Sequence, residues 1–65
     1  RLNIMKSLIN KEVNIVLEQP IDGMYEGYTP EYIPVRVDSK NIKTGQSVNV
    51  KITDANIDYC TGRLI

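Results

Sequence analysis

The sequence has no histidine, tryptophan or phenylalanine, and its only cysteine is Cys60. Without histidine there is no catalytic triad built on that residue, and a single thiol forms neither an internal disulfide nor a multi-cysteine metal site. We therefore expect no catalytic residue, no metal ligand and no cofactor within these 65 residues. A lone thiol in an apolar stretch is typical of a reducing, cytoplasmic setting.

Long apolar runs are missing as well, since none approaches the roughly 18 to 20 residues that a membrane helix requires. We expect no membrane contact. A chain of this length forms one domain with a modest core and leaves little room for an enclosed active site. Because the chain begins with Arg1 rather than methionine, we expect it to be a piece of a longer protein, whose function it shares only in part.

Alanine occurs once, against nine isoleucines and six valines. Side chains branched at Cβ pack well on a pleated surface and lose rotamer freedom in helices, so this composition favours strands. Apolar and polar residues alternate in three segments, which predicts three strands that each bury one face. The apolar positions are Val13, Ile15 and Leu17; Ile33, Val35 and Val37; and Val48, Val50 and Ile52. Two further strands are predicted at residues 24–28 and 59–65.

Turn-forming residues separate these segments. Asp22 and Gly23 suit a chain reversal, Gly45 ends the segment KNIKTG, and Asn56 tolerates the left-handed conformation. Five short strands with short connections predict an all-β, antiparallel, five-stranded barrel, which is closed because an open sheet of this length would leave long unpaired edges.

The first nine residues place apolar side chains at helical spacing, at Leu2, Met5, Leu8 and Ile9. We interpret residues 1–9 as the end of a linker helix that Asn10 closes as a left-handed cap. Residues 10–65 are then the domain itself.

The segment GYTPEYIPV, residues 27–35, holds two of the four tyrosines. A two-residue loop here would turn the Glu26 carboxylate into the core, which is costly for an unpaired charge. A three-residue loop of Thr29, Pro30 and Glu31 avoids that cost. In this register Tyr28 opposes Tyr32, Glu26 opposes Pro34 and Met24 opposes Arg36.

The outer face of the predicted hairpin presents Tyr28, Tyr32 and Arg36, whereas Tyr25 and Gly27 point inward. Phenol rings beside a guanidinium suit flat, anionic ligands, because rings stack on bases and arginine pairs with phosphate. We therefore predict an RNA-binding face made of these three residues, to which Lys51 adds positive charge from its own strand. The alternative is that the tyrosines only cover the barrel wall and Arg36 only pairs with Glu26.

The charges are unevenly placed although the net charge is zero. Residues 10–31 carry one lysine against five carboxylates, whereas residues 32–65 carry five cations against three carboxylates. The C-terminal half is therefore the half expected to meet an anion. An ordinary solvated surface of mixed charge is the alternative.

Residues 10–65 resemble a TRAM domain, the small barrel of the oligonucleotide-binding type found at the end of several tRNA-modifying enzymes. Four segments carry the resemblance: NKEVNIVLEQ (10–19), GYTPEYIPVRV (27–37), GQSVNVKITDA (45–55) and DYCTGRLI (58–65). Tyr28, Thr29 and the DYCTG ending are most similar to the C-terminal domain of radical-SAM tRNA methylthiotransferases, particularly those acting on threonylcarbamoyladenosine. Tyr28 stands where many TRAM domains have arginine, and Asn10 where glycine is usual.

The resemblance implies an RNA-binding domain that positions a tRNA for modification elsewhere in a longer chain. By resemblance, that parent uses iron–sulfur clusters and S-adenosylmethionine, and its cluster-binding cysteines have no counterpart here. The implied partners are tRNA and the parent's catalytic domain, with no DNA and no membrane. Two alternatives stay open: a protein-docking module, since related methylthiotransferases dock a ribosomal protein through a TRAM domain, and a structural cap on the catalytic domain.

Overall fold

The computed structural model describes residues 2–38 and 43–65, which form a short helix and five strands. The helix is α1 (Leu2–Lys6), and the strands are β1 (Glu12–Ile21), β2 (Met24–Tyr28), β3 (Pro34–Val37), β4 (Ser47–Ala55) and β5 (Cys60–Leu64). The strands close into one barrel in the order β1-β2-β3-β5-β4. The predicted all-β, five-stranded barrel is confirmed.

Strand direction departs from the prediction in one place. Four pairs of neighbouring strands are antiparallel, but β3 and β5 are parallel. An odd number of strands cannot alternate in direction all the way round a closed ring, so at least one neighbouring pair must run the same way. The expectation of an antiparallel barrel therefore holds for every pair except this one.

The barrel interior is filled by the apolar residues of the alternating segments. Ile15 and Leu17 of β1, Val35 and Val37 of β3, and Val50 and Ile52 of β4 are fully buried, as is Cys60 at the start of β5. Each large aliphatic side chain contributes about 1.5 to 3 kcal/mol when it is removed from water. Val13 and Ile33 lie at the margin of this core and are half-buried.

The N-terminal segment contributes to the same core. Helix α1 ends at Lys6, earlier than predicted, but Asn10 has the predicted left-handed backbone, with φ of 74°. The Asn10 N–H donates to the Ile52 carbonyl at 2.8 Å, which fixes the segment beside β4. Met5 is fully buried in the core. A domain boundary at residue 10 stays a prediction, but Met5 already belongs to the barrel by its packing.

The turns form either through a left-handed backbone or through hydrogen bonds from a side chain. Asp22 and Gly23 have φ of 50° and 79° and form a two-residue hairpin loop between β1 and β2, as the pair predicted. Gly45 is also left-handed, with φ of 86°; residues 39–42 of the same connection lie outside the described part of the chain. Asn56 lies in the predicted turn between β4 and β5 without a left-handed backbone; its side-chain oxygen accepts from the N–H groups of Asp58 and Tyr59 at 2.8 and 2.9 Å.

Candidate functional site

The loop between β2 and β3 has the predicted length but lies one position further along the chain. Thr29 and Ile33 close it, because the Thr29 N–H donates to the Ile33 carbonyl at 3.0 Å and the Ile33 N–H donates to Thr29 Oγ1 at 3.1 Å. The Tyr32 N–H also donates to the Thr29 carbonyl at 2.8 Å. The loop is therefore Pro30, Glu31 and Tyr32, a tight turn with proline at its favoured second position.

This loop corrects the predicted register. Glu26 lies opposite Arg36 and Tyr28 lies opposite Pro34, so the predicted pairings of Tyr28 with Tyr32, Glu26 with Pro34 and Met24 with Arg36 were wrong. The reason is Tyr32, which adopts a left-handed backbone with φ of 66° and so belongs to the turn rather than to the strand. Each partner moves by two positions, so the residues that stay in the strands keep their predicted faces.

The two tyrosines nevertheless stack. The ring centroids of Tyr28 and Tyr32 are 4.5 Å apart and the ring planes differ by 9°. Tyr32 is 73% exposed, so one face of its ring lies on Tyr28 and the other faces solvent. A left-handed backbone costs a residue other than glycine about 1 to 2 kcal/mol. The turn hydrogen bonds and the stacked ring hold Tyr32 in this conformation.

A carboxylate on the outer wall of the barrel holds the base of this stack. Glu26 is only 6% exposed. Its Oε1 accepts from the Tyr28 hydroxyl at 3.3 Å and from Gln19 Nε2 at 3.2 Å, and its Oε2 accepts from Arg36 Nε at 3.2 Å. The negative charge of Glu26 raises the pKa of the Tyr28 phenol, with smaller contributions from desolvation and from the hydrogen bond. Tyr28 therefore remains a neutral donor.

Arg36 is enclosed by its partners. Besides Glu26, its guanidinium pairs with Asp22 through Nη1 and Oδ2 at 3.6 Å, and its Cζ lies 3.8 Å from the centre of the Tyr59 ring. The pairing of Arg36 with Glu26, which was the alternative interpretation, is therefore present. Sequence reasoning missed Gln19 and Tyr59, and no local pattern marks Tyr59, because it reaches Arg36 only through the pairing of β3 with β5.

An open, mainly apolar groove adjoins the stacked rings. It has a volume of about 670 Å³ and lies between helix α1 and the β2–β3 loop. Its lining includes Ile4, Tyr28, Glu31, Tyr32, Ile33 and Pro34. Ile4 is exposed, so apolar surface continues from the tyrosine rings onto the helix.

Lys51 lies elsewhere on the barrel. It is on β4, where its cross-strand neighbours are Glu12 of β1 and Arg63 of β5. Strand β4 borders neither β2 nor β3. The structure thus brings Tyr28 and Tyr32 into contact, links Tyr28 to Arg36 through Glu26, and separates Lys51 from all three.

The described residues do not fit an iron–sulfur cluster. Cys60 is fully buried and its thiol faces the Met5 carbonyl at 3.8 Å. Burial, and to a smaller extent the Asp54 carboxylate, raises the pKa of this thiol, whereas a metal ligand must be deprotonated. Residues 2–38 and 43–65 contain no group of three acidic, cysteine or histidine side chains that could hold a metal ion.

No model of a known protein family matches the chain. Within the described ranges, no helix is long and apolar enough to cross a membrane.

Proposed function

We propose that this chain is an RNA-binding domain of the TRAM type, which positions a tRNA for a cytoplasmic methylthiotransferase of which it forms part. The observation that carries the proposal is the stack of Tyr28 and Tyr32, with the outer ring face of Tyr32 open to solvent. The Tyr32 ring is the surface on which an unpaired base would lie.

The physics of base stacking supports this assignment. Every nucleobase has a flat π face, and stacking on an aromatic side chain is worth about 1 to 3 kcal/mol per base. Tyr32 is already fixed by its turn and by Tyr28. The side chain therefore gives up little conformational entropy when a base arrives, which favours affinity.

The architecture also supports the proposal by analogy. Barrels of the oligonucleotide-binding type use the face of their second and third strands to hold single strands. Glu26 and Tyr28 lie on β2 and Arg36 on β3. Because a fold alone does not establish a function, the proposal depends mainly on the exposed ring of Tyr32.

In this proposal Arg36 does not bind phosphate, although arginine often does. Its guanidinium is occupied by Glu26, Asp22 and Tyr59, so we assign it the task of holding Glu26, which in turn holds the Tyr28 hydroxyl. Arg36 is then a positioning residue for the stack. Contact with phosphate falls to cations elsewhere, including Lys51.

The domain itself would perform no chemistry. In this proposal the parent chain supplies the iron–sulfur clusters and S-adenosylmethionine, and these 65 residues supply only binding and orientation. The partners are tRNA and the parent's catalytic domain.

The groove beside the tyrosines favours a second candidate function, which is docking of a protein. Ile4, Ile33 and Pro34 line it together with one carboxylate, Glu31, and such a surface suits an apolar segment that carries a positive charge. A ribosomal protein or the parent's own catalytic domain would be the occupant. The Glu31 carboxylate would repel phosphate but attract a basic peptide. Binding of RNA and binding of such a peptide therefore distinguish the two functions.

The test is a titration of tRNA and of a single-stranded RNA oligomer into the chain and its Tyr32→Gly variant. Glycine accepts the left-handed backbone without steric strain, so this variant removes the ring and keeps the turn conformation accessible. We expect about a tenfold loss of affinity or more, as the loss of one stacked base predicts. The control is Ile57→Ala, which removes another exposed apolar side chain, in the turn between β4 and β5.

Unchanged RNA affinity in the Tyr32→Gly variant would contradict the proposal. If the unaltered chain binds neither RNA at low salt, but a basic apolar peptide from a ribosomal protein binds and is weakened by Ile4→Ala, the docking function replaces it.

A further inference from the structure

Two cations face each other across strands β4 and β5. Lys51 of β4 lies directly opposite Arg63 of β5 in an antiparallel pair. Like charges in that relation repel and destabilise a sheet. Both side chains line an open groove of about 300 Å³ together with Glu12, Leu64 and Ile65.

The charge of this pair is only partly balanced. Glu12 lies opposite Lys51 on the other side, in β1, so the row of three side chains keeps one surplus positive charge. Among residues 2–38 and 43–65, the ion pairs shorter than 4 Å involve Arg36 and neither Lys51 nor Arg63. Lys51 is half-buried, so its charge is less screened by water than that of a freely exposed lysine.

Strand β5 connects this pair to Arg36 across the barrel wall. Thr61 lies opposite Arg36 where β5 borders β3, and it precedes Arg63 on the same face of β5. Of the carboxylates near this surface, Glu26 is buried and paired with Arg36, whereas Asp54 of β4, which lies opposite Thr61, is exposed.

Gly62, which precedes Arg63, lies opposite Val37 at the end of β3, whereas Tyr32 lies in the loop before that strand. At about 3.3 Å per residue, the pair is roughly 15 Å from Tyr32 along the barrel wall, so a strand of several nucleotides is needed to reach both.

We infer that Lys51 and Arg63 together bind a phosphodiester group of the nucleic acid strand whose base stacks on Tyr32. The inference rests on the proposed function and extends it, because it adds Arg63 and assigns the binding of phosphate to this pair rather than to Arg36. Arginine offers two parallel N–H donors to a phosphate and lysine a compact charge. The bound anion removes the repulsion between the two cations.

The experiment measures RNA affinity at several salt concentrations for Lys51→Gln, Arg63→Gln and the double variant. A C-terminally amidated chain is used throughout, because a free carboxylate on Ile65 would compete at the same groove. We expect the double variant to bind about tenfold more weakly and to show a flatter salt dependence, by about 0.7 in the logarithmic slope for each phosphate that no longer meets a cation. The control is Lys43→Gln, which removes one exposed positive charge outside this row. An equal effect of Lys43→Gln and Arg63→Gln would overturn the inference.

Two further measurements identify the source of the phosphate and test whether the variants still fold. An abasic phosphodiester oligomer should bind the unaltered chain and bind more weakly to the double variant; a response to inorganic phosphate alone would overturn the assignment to a strand. Arg63→Gln should melt at the same temperature as the unaltered chain or higher when no ligand is present, because it removes a repulsion. A lower melting temperature would contradict the proposed conflict of charge.

The Tyr32→Gly variant separates this inference from the proposed function. If Tyr32→Gly leaves RNA affinity unchanged while the Lys51 and Arg63 variants reduce it, the stacking site fails and the phosphate site stands. If Tyr32→Gly reduces RNA affinity while the Lys51 and Arg63 variants leave it unchanged, the stacking site stands and the phosphate site fails.

Discussion

Arg36 joins two carboxylates that differ sharply in exposure. Its guanidinium meets Glu26, whose side chain is 8% exposed, and Asp22, whose side chain is 83% exposed. A carboxylate shut away from water needs its cation, whereas an exposed ion pair contributes between nothing and about 1 kcal/mol. We therefore expect the ion pair with Glu26 to contribute much more to stability than the ion pair with Asp22.

Replacing Arg36 by glutamine is expected to destabilise the chain by about 2 kcal/mol, because it leaves Glu26 buried without a cation. Breaking a fully buried pair costs about 3 to 5 kcal/mol, and Arg36 itself keeps some access to water. The measurement is urea unfolding followed by circular dichroism.

The matched control for that variant is Asp22→Asn. It removes the other ion pair of the same guanidinium, and asparagine is favoured in this two-residue turn, so the free energy of unfolding should change by no more than about 0.5 kcal/mol. Equal unfolding midpoints for Arg36→Gln and the unaltered chain would show that Glu26 needs no cation.

At the scale of the strands, β1 and β2 cross closely at Gly27. The register of β1 shifts between Leu17 and Gln19, and Gly27 lies opposite Leu17 at this irregularity. A Cβ atom on Gly27 would overlap the carbonyl oxygen of Val16 and lie 3.3 Å from the Cα of Leu17. Both obstacles are backbone atoms, so neither can rotate away.

Gly27→Ala should therefore cost about 3 kcal/mol, at the upper end of overpacking penalties. Gly23→Ala is the comparison: a Cβ there meets nothing within 4 Å, but its φ of 79° makes alanine unfavourable by about 1 kcal/mol. Thermal melts of the two variants should place Gly27→Ala well below Gly23→Ala, and the reverse order would show that β1 can shift to make room.

The strands were predictable because burial of one face is a local pattern. Ile15, Leu17, Val50 and Ile52 could be assigned to the interior from their alternation with polar neighbours, and each is fully buried. The parallel pair of β3 and β5 also follows from simple counting once a closed ring of five strands is assumed.

The details of the site depend on information that a local pattern does not contain. The loop was misplaced by one position because tyrosine rarely adopts the left-handed backbone that Tyr32 has. The contact of Arg36 with Tyr59 depends on which strand closes the barrel. The expected proximity of Tyr28 and Tyr32 is nevertheless observed, because the turn that contains Tyr32 places its ring on Tyr28.

For the molecule as a whole, the closed barrel protects its only thiol. Cys60 lies in the core between β3 and β4, and its raised pKa further lowers the fraction of reactive thiolate. A disulfide reagent at pH 8 should therefore modify the native chain far more slowly than the urea-unfolded chain.

The reaction rate should rise with urea in step with the population of unfolded chain, as measured by circular dichroism, because exposing Cys60 requires β5 to separate from β3 and β4. Rapid labelling without denaturant would indicate that β5 detaches while the rest of the barrel stays folded. Gly27→Ala provides the positive control, since a destabilised barrel should be labelled faster.

The ring of strands also dictates an order of assembly. β1 finds one neighbour at once through the hairpin with β2, but its other neighbour is β4, and Glu12 pairs with Lys51, more than half the chain away. β3 likewise completes its pairing only with β5. Pairings between such distant residues form slowly, because chain entropy must be given up before they add any stability. After the ribosome has released β1, β2 and β3, these strands can form only a three-stranded meander. The barrel can close only after β5 has emerged, because β5 lies between β3 and β4.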